Sequence, residues 1–284
     1  LSWAEDTEAA RRLQGERVAR SRETVMDDVL FERRDDGVAL VTLNRPQRRN
    51  ALSIAAAERL NDIWRDVDAD ASLRALIITS ADCGVFCAGM DLAEAAQVRA
   101  ERGIDVLQVL TDPFYERLRA VRKPVIAALN GHFTAAGMVL AANADLRIGL
   151  AGTRAGITEV RVGRGTPWAA PMLTQLPQAV LLEMLLTGEM IDCERLHQLG
   201  FLNYLEPTPA AVLQRALMLA AAIGRNAPLS VLAAKQGIRH AAALGADVGF
   251  AASKDTHQAV YASEDAQEGP RAFAEKRDPV WKGR

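Results

Sequence analysis

Cysteine is scarce, with three residues in 284. So few exclude a disulfide scaffold. Cys83 and Cys87 stand four apart, but no His/Cys pair follows at the spacing that a zinc site needs. The expectation is a reduced, cytoplasmic protein with packing cysteines and no metal. An excess of either charge is also missing. The chain carries 34 Lys and Arg against 36 Asp and Glu, a net charge of -2. That balance gives no sign of a nucleic-acid or anionic-membrane partner. No apolar run reaches membrane-spanning length, and the first residues lack the apolar core of a secretion signal. No GxGxxG follows the first strand, so there is no dinucleotide fingerprint. Fixed-period repeats and low-complexity linkers are absent as well.

What is present is an ordinary globular composition, 49% hydrophobic and 25% charged, with ample material for a core. Residues 1–27 are charged and helix-prone with a thin apolar stripe, and are read as an N-terminal extension. Val29 to Arg33 and Val38 to Leu43 read as a hairpin around Asp35-Asp36-Gly37. Ser53 is placed as the N-cap of a helix whose apolar residues Ala57, Leu60, Ile63, Trp64 and Val67 recur at helical spacing. Leu76 to Thr79 reads as a buried strand and Ser80 to Leu92 as a loop. Residues 93–122 read as helix interrupted near Thr111-Asp112-Pro113. Strands are expected at Val125–Leu129, Leu146–Gly149 and within Thr153–Val162, and helices at Thr166–Leu176 and Val180–Leu186. Three further helices, over Ala210–Ile223, Leu229–Ala243 and Val248–Ala262, and a short tail helix complete the chain. Strands alternating with helices to about Leu205, then helices alone, predict an α/β core with a helical C-terminal part.

The central stretch VIAALNGHFTAAGMVLAANAD, residues 125–145, reads as a strand turning at Asn130-Gly131 into a helix of small residues. Such a helix start leaves unpaired N–H groups backed by the helix dipole, suited to a negative oxygen. Read with ALVTLNRPQRRNALS at 39–53, GVFCAGMDLAE at 84–94, LTGEMIDCERLHQLGFLNYLEP at 186–207 and SEDAQEGPRAFAEKRDPVW at 263–281, it resembles the crotonase (enoyl-CoA hydratase/isomerase) superfamily. The resemblance covers nearly everything after residue 27.

That resemblance implies a ββα spiral core over residues 28–207 and a helical trimerisation region over 208–284, as a homotrimer or a dimer of trimers. It implies a coenzyme A thioester as substrate, with no permanently bound cofactor, and an enolate oxygen held by the backbone N–H groups of Met90 and Ala136. Gly89, Ala135 and Gly137 are the small neighbours that permit close approach, and Ala88, Gly89 and Gly137 are placed among the residues that bind the substrate. Of the two glutamates of the hydratases, one falls at Val139, which cannot act as a base, and the other at Glu159. A single glutamate resembles the Δ3,Δ2-enoyl-CoA isomerase branch, so isomerisation is slightly favoured. Hydration with a substitute for the missing carboxylate, from His132, Asp112, Tyr115 or Glu116, remains open. So do a binding protein with little catalysis and an acyl-CoA hydrolase or decarboxylase. Trp168 stands where the family usually has a small residue and is expected to reshape the acyl pocket. Arg161 and Arg164 are read either as partners of a polar acyl tail or as surface ion pairs. By the same resemblance, Arg45, Arg48 and Arg49 line the coenzyme A site, with Phe273 and Lys276 from the tail. Asp91 matches a regular family position and is read as holding the loop.

Overall fold

Gly37, at φ 78°, lets the chain reverse after Asp36, and β1 (Val29–Arg33) pairs antiparallel with β2 (Val38–Leu43). These bounds are those expected from the turn chemistry. The computed structural model describes residues 28–284. The N-terminal extension read over 1–27 lies outside the described residues. From β2 onward the first sheet is parallel: β3 (Ala75–Ser80), β5 (Val125–Leu129), β7 (Leu146–Leu150) and β10 (Tyr204–Glu206) follow in the order β1-β2-β3-β5-β7-β10. A second sheet of three-residue strands runs in the order β4 (Val85–Cys87), β6 (His132–Thr134), β8 (Arg154–Gly156), β9 (Met190–Asp192). The successive pairs β3/β4, β5/β6 and β7/β8 each put one strand in each sheet, so the chain climbs as a ββα spiral.

Both faces of the first sheet are buried, which is why its strands read as continuous apolar runs. Alternate residues serve two cores. Leu76, Ile78, Val125, Ala127 and Leu129 join the main core with α1 (Ile54–Ala69), capped as expected by the Ser53 hydroxyl. Ala75, Ile77, Ile126, Ala128 and Ile148 face α7 (Pro209–Gly224), whose Val212, Ala216 and Ala220 let it lie close to the sheet.

Four expectations from the sequence are corrected here. The segment Ser80–Leu92 is not all loop, because β4 lies within it, and β6 stands between the Asn130-Gly131 turn and the next helix, α4 (Ala136–Asn143). Three residues are too few to show a period, and each strand is held by partners distant in sequence. The 93–122 region breaks early: α2 (Leu92–Arg102) stops at Gly103, in the left-handed conformation. A 3-10 turn at Val106–Gln108 and the short α3 (Glu116–Ala120) then follow. Pro167–Thr174 is a 3-10 helix rather than an α-helix, with Pro171 inside it lacking a donor. Beyond α5 (Gln178–Thr187), closed by Gly188, the strands β9 and β10 and the intervening α6 (Cys193–Gln198) were not anticipated.

The C-terminal part is helical, with α7, α8 (Pro228–Leu244), α9 (Ala246–Tyr261) and α10 (Glu264–Glu275). Asp145, just before β7, ties α8 to the sheet. Its carboxylate accepts from Val125 N at 2.7 Å, pairs with Lys235 Nζ, and meets Arg239 Nη2 at 3.3 Å. Burial holds Lys235 down to a pKa of about 8. Asp145→Ala strands a buried ammonium and an amide, and is expected to cost roughly 2–3 kcal/mol in urea denaturation. Adding Lys235→Met should recover most of that loss, because an apolar replacement removes the unpaired charge. No recovery would mean that the pair is not what holds α8.

Candidate active site

Two glycines make the close approaches on which the site depends. At Gly89, with φ 108°, a Cβ would lie 2.8 Å from Ala135 Cβ and 3.7 Å from Ala136 N. At Gly137 a Cβ would lie 2.5 Å from the Cys87 carbonyl oxygen. The loop after β4 therefore lies directly against the start of α4. That loop is pinned on several sides. Leu52 N donates to Gly89 O at 2.8 Å, Asp91 N to Leu52 O at 2.9 Å, Ala88 N to Arg49 O at 3.1 Å, and Thr134 Oγ1 to Ala88 O at 3.2 Å. Met90 N–H, between these anchors, donates to no acceptor among the described residues.

On the opposing side Ala135 has φ 50° and ψ −118°, an uncommon conformation for a residue with a Cβ. Its carbonyl accepts from Val139 N at 2.9 Å, while Ala136 N–H, at the first position of α4, donates to no acceptor among the described residues. Met90 and Ala136 line one cavity of about 320 Å³. Ala88, Val139, Glu159 and Trp168 share that lining.

Glu159 opens the 3-10 turn Glu159–Val162 after β8. Arg161, two residues on, pairs with Glu189 rather than with it. Arg164 is held by Asp105 through two bonds of 2.9 and 2.7 Å. Glu159 Oε2 is buried without a hydrogen-bond partner. Burial raises its pKa, and the neighbouring Trp168 indole and Arg164 offset this only in part. Opposite the catalytic pattern of the hydratases, Val139 is 4% exposed and apolar. Among the described residues, Glu159 is the sole carboxylate on the cavity wall. Arg161, Arg164, Thr158 and Tyr115 also line this cavity. Two backbone donors and one buried carboxylate around it can hold an oxygen that gains charge while a proton moves at a neighbouring carbon.

The structure separates the other expected residues. Asp91 caps α2, accepting from Ala93 N and Glu94 N, and pairs with Arg45 at 3.1 Å. Arg45 also pairs with Asp28 and donates to Ala51 O, so both hold the loop and neither lines the cavity. Arg48 and Arg49 are exposed beside Ala88 through the Arg49 carbonyl. Phe273, 87% exposed, and Lys276 lie at the end of α10, outside the cavity lining. Among the substitutes considered, His132 Nδ1 accepts from Arg154 N at 2.9 Å. Asp112 caps α3 through Glu116 N and Arg117 N. Only Tyr115 lines the cavity. It is 2% exposed, with φ 54° and an unpartnered buried hydroxyl. Pro113 and Phe114 also line the cavity and were not singled out in the sequence. Their segment carries no motif, and the left-handed turn at Tyr115 has no glycine to announce it.

The sequence profile described as enoyl-CoA hydratase/isomerase matches residues 33–284. The chain belongs to the enoyl-CoA hydratase/isomerase family. It is 34% identical over 269 residues to the enoyl-CoA hydratase EchA19 of Mycobacterium tuberculosis, covering 90% of this chain and 97% of that protein. It is 33% identical over 260 residues to the 2,3-dehydroadipyl-CoA hydratase of Escherichia coli, covering 90% and 99%. Among solved structures, an enoyl-CoA hydratase from Mycobacterium tuberculosis H37Rv superposes with a TM-score of 0.82 at 36% identity, covering 91% of this chain and all of that one. The two-sheet spiral with its C-terminal helices is thus the crotonase fold of this enoyl-CoA hydratase/isomerase family member.

Proposed function

We propose that this enzyme acts on an unsaturated acyl-CoA thioester through an enolate, with Glu159 as its single proton-transfer group and double-bond isomerisation as its reaction. The observation that carries the choice is that, among the described residues, Glu159 is the one carboxylate lining the cavity, with Val139 where a second would stand. In this reading the Glu159 carboxylate takes a proton from C2 of a 3-enoyl-CoA. The electron pair moves into the thioester carbonyl, whose oxygen accepts from Met90 N–H and Ala136 N–H. The same carboxyl group then returns the proton to C4, the double bond shifts to C2–C3, and the mass of the substrate is unchanged. A carboxyl with a raised pKa suits both halves of that transfer near neutral pH.

Hydration is the second reading. It is favoured by the hydratase names of the relatives and by the unpartnered hydroxyl of Tyr115 on the same wall. Arg48 and Arg49, exposed beside Ala88, are assigned to the phosphates of coenzyme A. The exposed apolar side chains of Ile238, Phe250 and Tyr261 on α8 and α9 support a homotrimer, alone or paired into a hexamer. The test is incubation with a 3-enoyl-CoA and, separately, with crotonyl-CoA, followed by mass and absorbance. Isomerisation conjugates the first substrate without changing its mass. A gain of one water on crotonyl-CoA, with no turnover of the 3-enoyl substrate, would replace the first reading by the second.

A further inference from the structure

A second cavity, of about 250 Å³, lies between the 3-10 helix Pro167–Thr174, the end of α4 and α8; Ala142, Met172, Ile238 and Ala242 form its apolar side, and Arg119, Asp145, Arg147 and Arg239 its charged side. One side chain, Trp168, lines both this cavity and the one that holds Glu159. The indole is half-buried and packed on the main core. Val139 in the first cavity and Ala142 in the second follow one another on α4 and mark the same direction past the indole.

We infer that Trp168 is the end wall of the acyl pocket and sets the length of acyl chain that the enzyme accepts. This rests on the acyl-CoA reading of the site. With the indole in place, an acyl group whose thioester oxygen sits at Met90 and Ala136 ends against Trp168. With it removed, the space continues toward Met172 and Ala242. Carbons that pack on the apolar side, against Ala142, Met172, Ile238 and Ala242, leave water, and each methylene buried there strengthens binding by roughly fourfold.

Binding and turnover are to be measured together, using butyryl-CoA and lauroyl-CoA in calorimetry and 4- and 12-carbon enoyl-CoAs in turnover. The wild type is expected to favour the short chain. Trp168→Ala should move the ratio of long-chain to short-chain kcat/KM, and of the two affinities, by about tenfold or more toward the long chain. Trp168→Phe and Trp168→Leu should fall between, and keep the test available if the alanine variant is poorly folded. Ala242→Phe, which refills the second cavity from α8, should reverse the gain in the Trp168→Ala background and leave the wild-type ratio unchanged. A ratio that stays constant across the series, with short-chain binding retained, overturns the role of Trp168 and leaves the acyl-CoA reading intact. Failure of the wild type to bind either acyl-CoA overturns both.

Discussion

Glu159→Gln is expected to lower turnover by 10²–10⁴-fold, the usual contribution of a positioned acid–base group, while making the folded protein more resistant to heat at pH 8. The two effects share one cause. Glu159 Oε2 is buried without a donor, and burial raises the carboxyl pKa above its ordinary value. In the unfolded chain a glutamate titrates near ~4.3. The folded state therefore holds the proton to higher pH than the unfolded state does. The stability linked to this group is fully present below the unfolded pKa and is lost as pH rises through the folded one. Glutamine has the same shape, carries no charge at any pH, and so escapes that loss. Melting midpoints of wild type and variant should coincide near pH 4 and separate in favour of Glu159→Gln as pH rises to 8. Activity retained at the wild-type level would remove Glu159 from the reaction. A variant less stable than wild type at pH 8 would mean that the carboxylate is solvated after all.

Gly137→Ala is expected to cost 10²–10³ in kcat, the scale seen when one backbone donor of an oxyanion site is lost. The added methyl would meet the Cys87 carbonyl oxygen at 2.5 Å and Cys87 Cβ at 2.9 Å. Both belong to β4, which cannot move away without carrying the loop to Met90 with it. The start of α4 must shift instead, and Ala136 N–H shifts with it. Overpacking of this kind also costs about 1–3 kcal/mol of stability, so turnover is to be measured where the variant is fully folded by circular dichroism. Gly224→Ala, at the end of α7, meets nothing within 4 Å and serves as the control that leaves both quantities unchanged. Full activity in Gly137→Ala would show that the close contact of α4 with β4 does not position the donor.

Several parts of this molecule are legible one segment at a time. The β1–β2 hairpin follows from Asp-Asp-Gly, the start of α1 from Ser53, and the end of α5 from Gly188. The parallel strands follow from apolar runs that are buried on both faces. The small residues at 88–89 and 135–137 and the carboxylate at Glu159 stand out through the resemblance to the crotonase family. The turn and the caps rest on interactions within a few residues, and local chemistry is what a sequence displays directly.

Other decisions belong to the tertiary structure. Three-residue strands such as β4 and β6 exist because they find one another far along the chain, Val85 pairing with His132 and Cys87 with Phe133, and nothing in their own composition demands a strand. Arg45, Arg48 and Arg49 look alike in the sequence. Only the fold commits Arg45 to Asp28 and Asp91 and leaves the other two at the surface. The sequence by itself determined the family, the course of the main strands and helices, and the absence of glutamate at 139. The tertiary structure decided that Glu159 stands, among the described residues, without a second carboxylate on its cavity wall, that Tyr115 joins it there, and that Trp168 lies between two cavities. The physical reason is that a wall is made of residues from distant segments, and which side chains share one is settled only when the sheets and helices have packed.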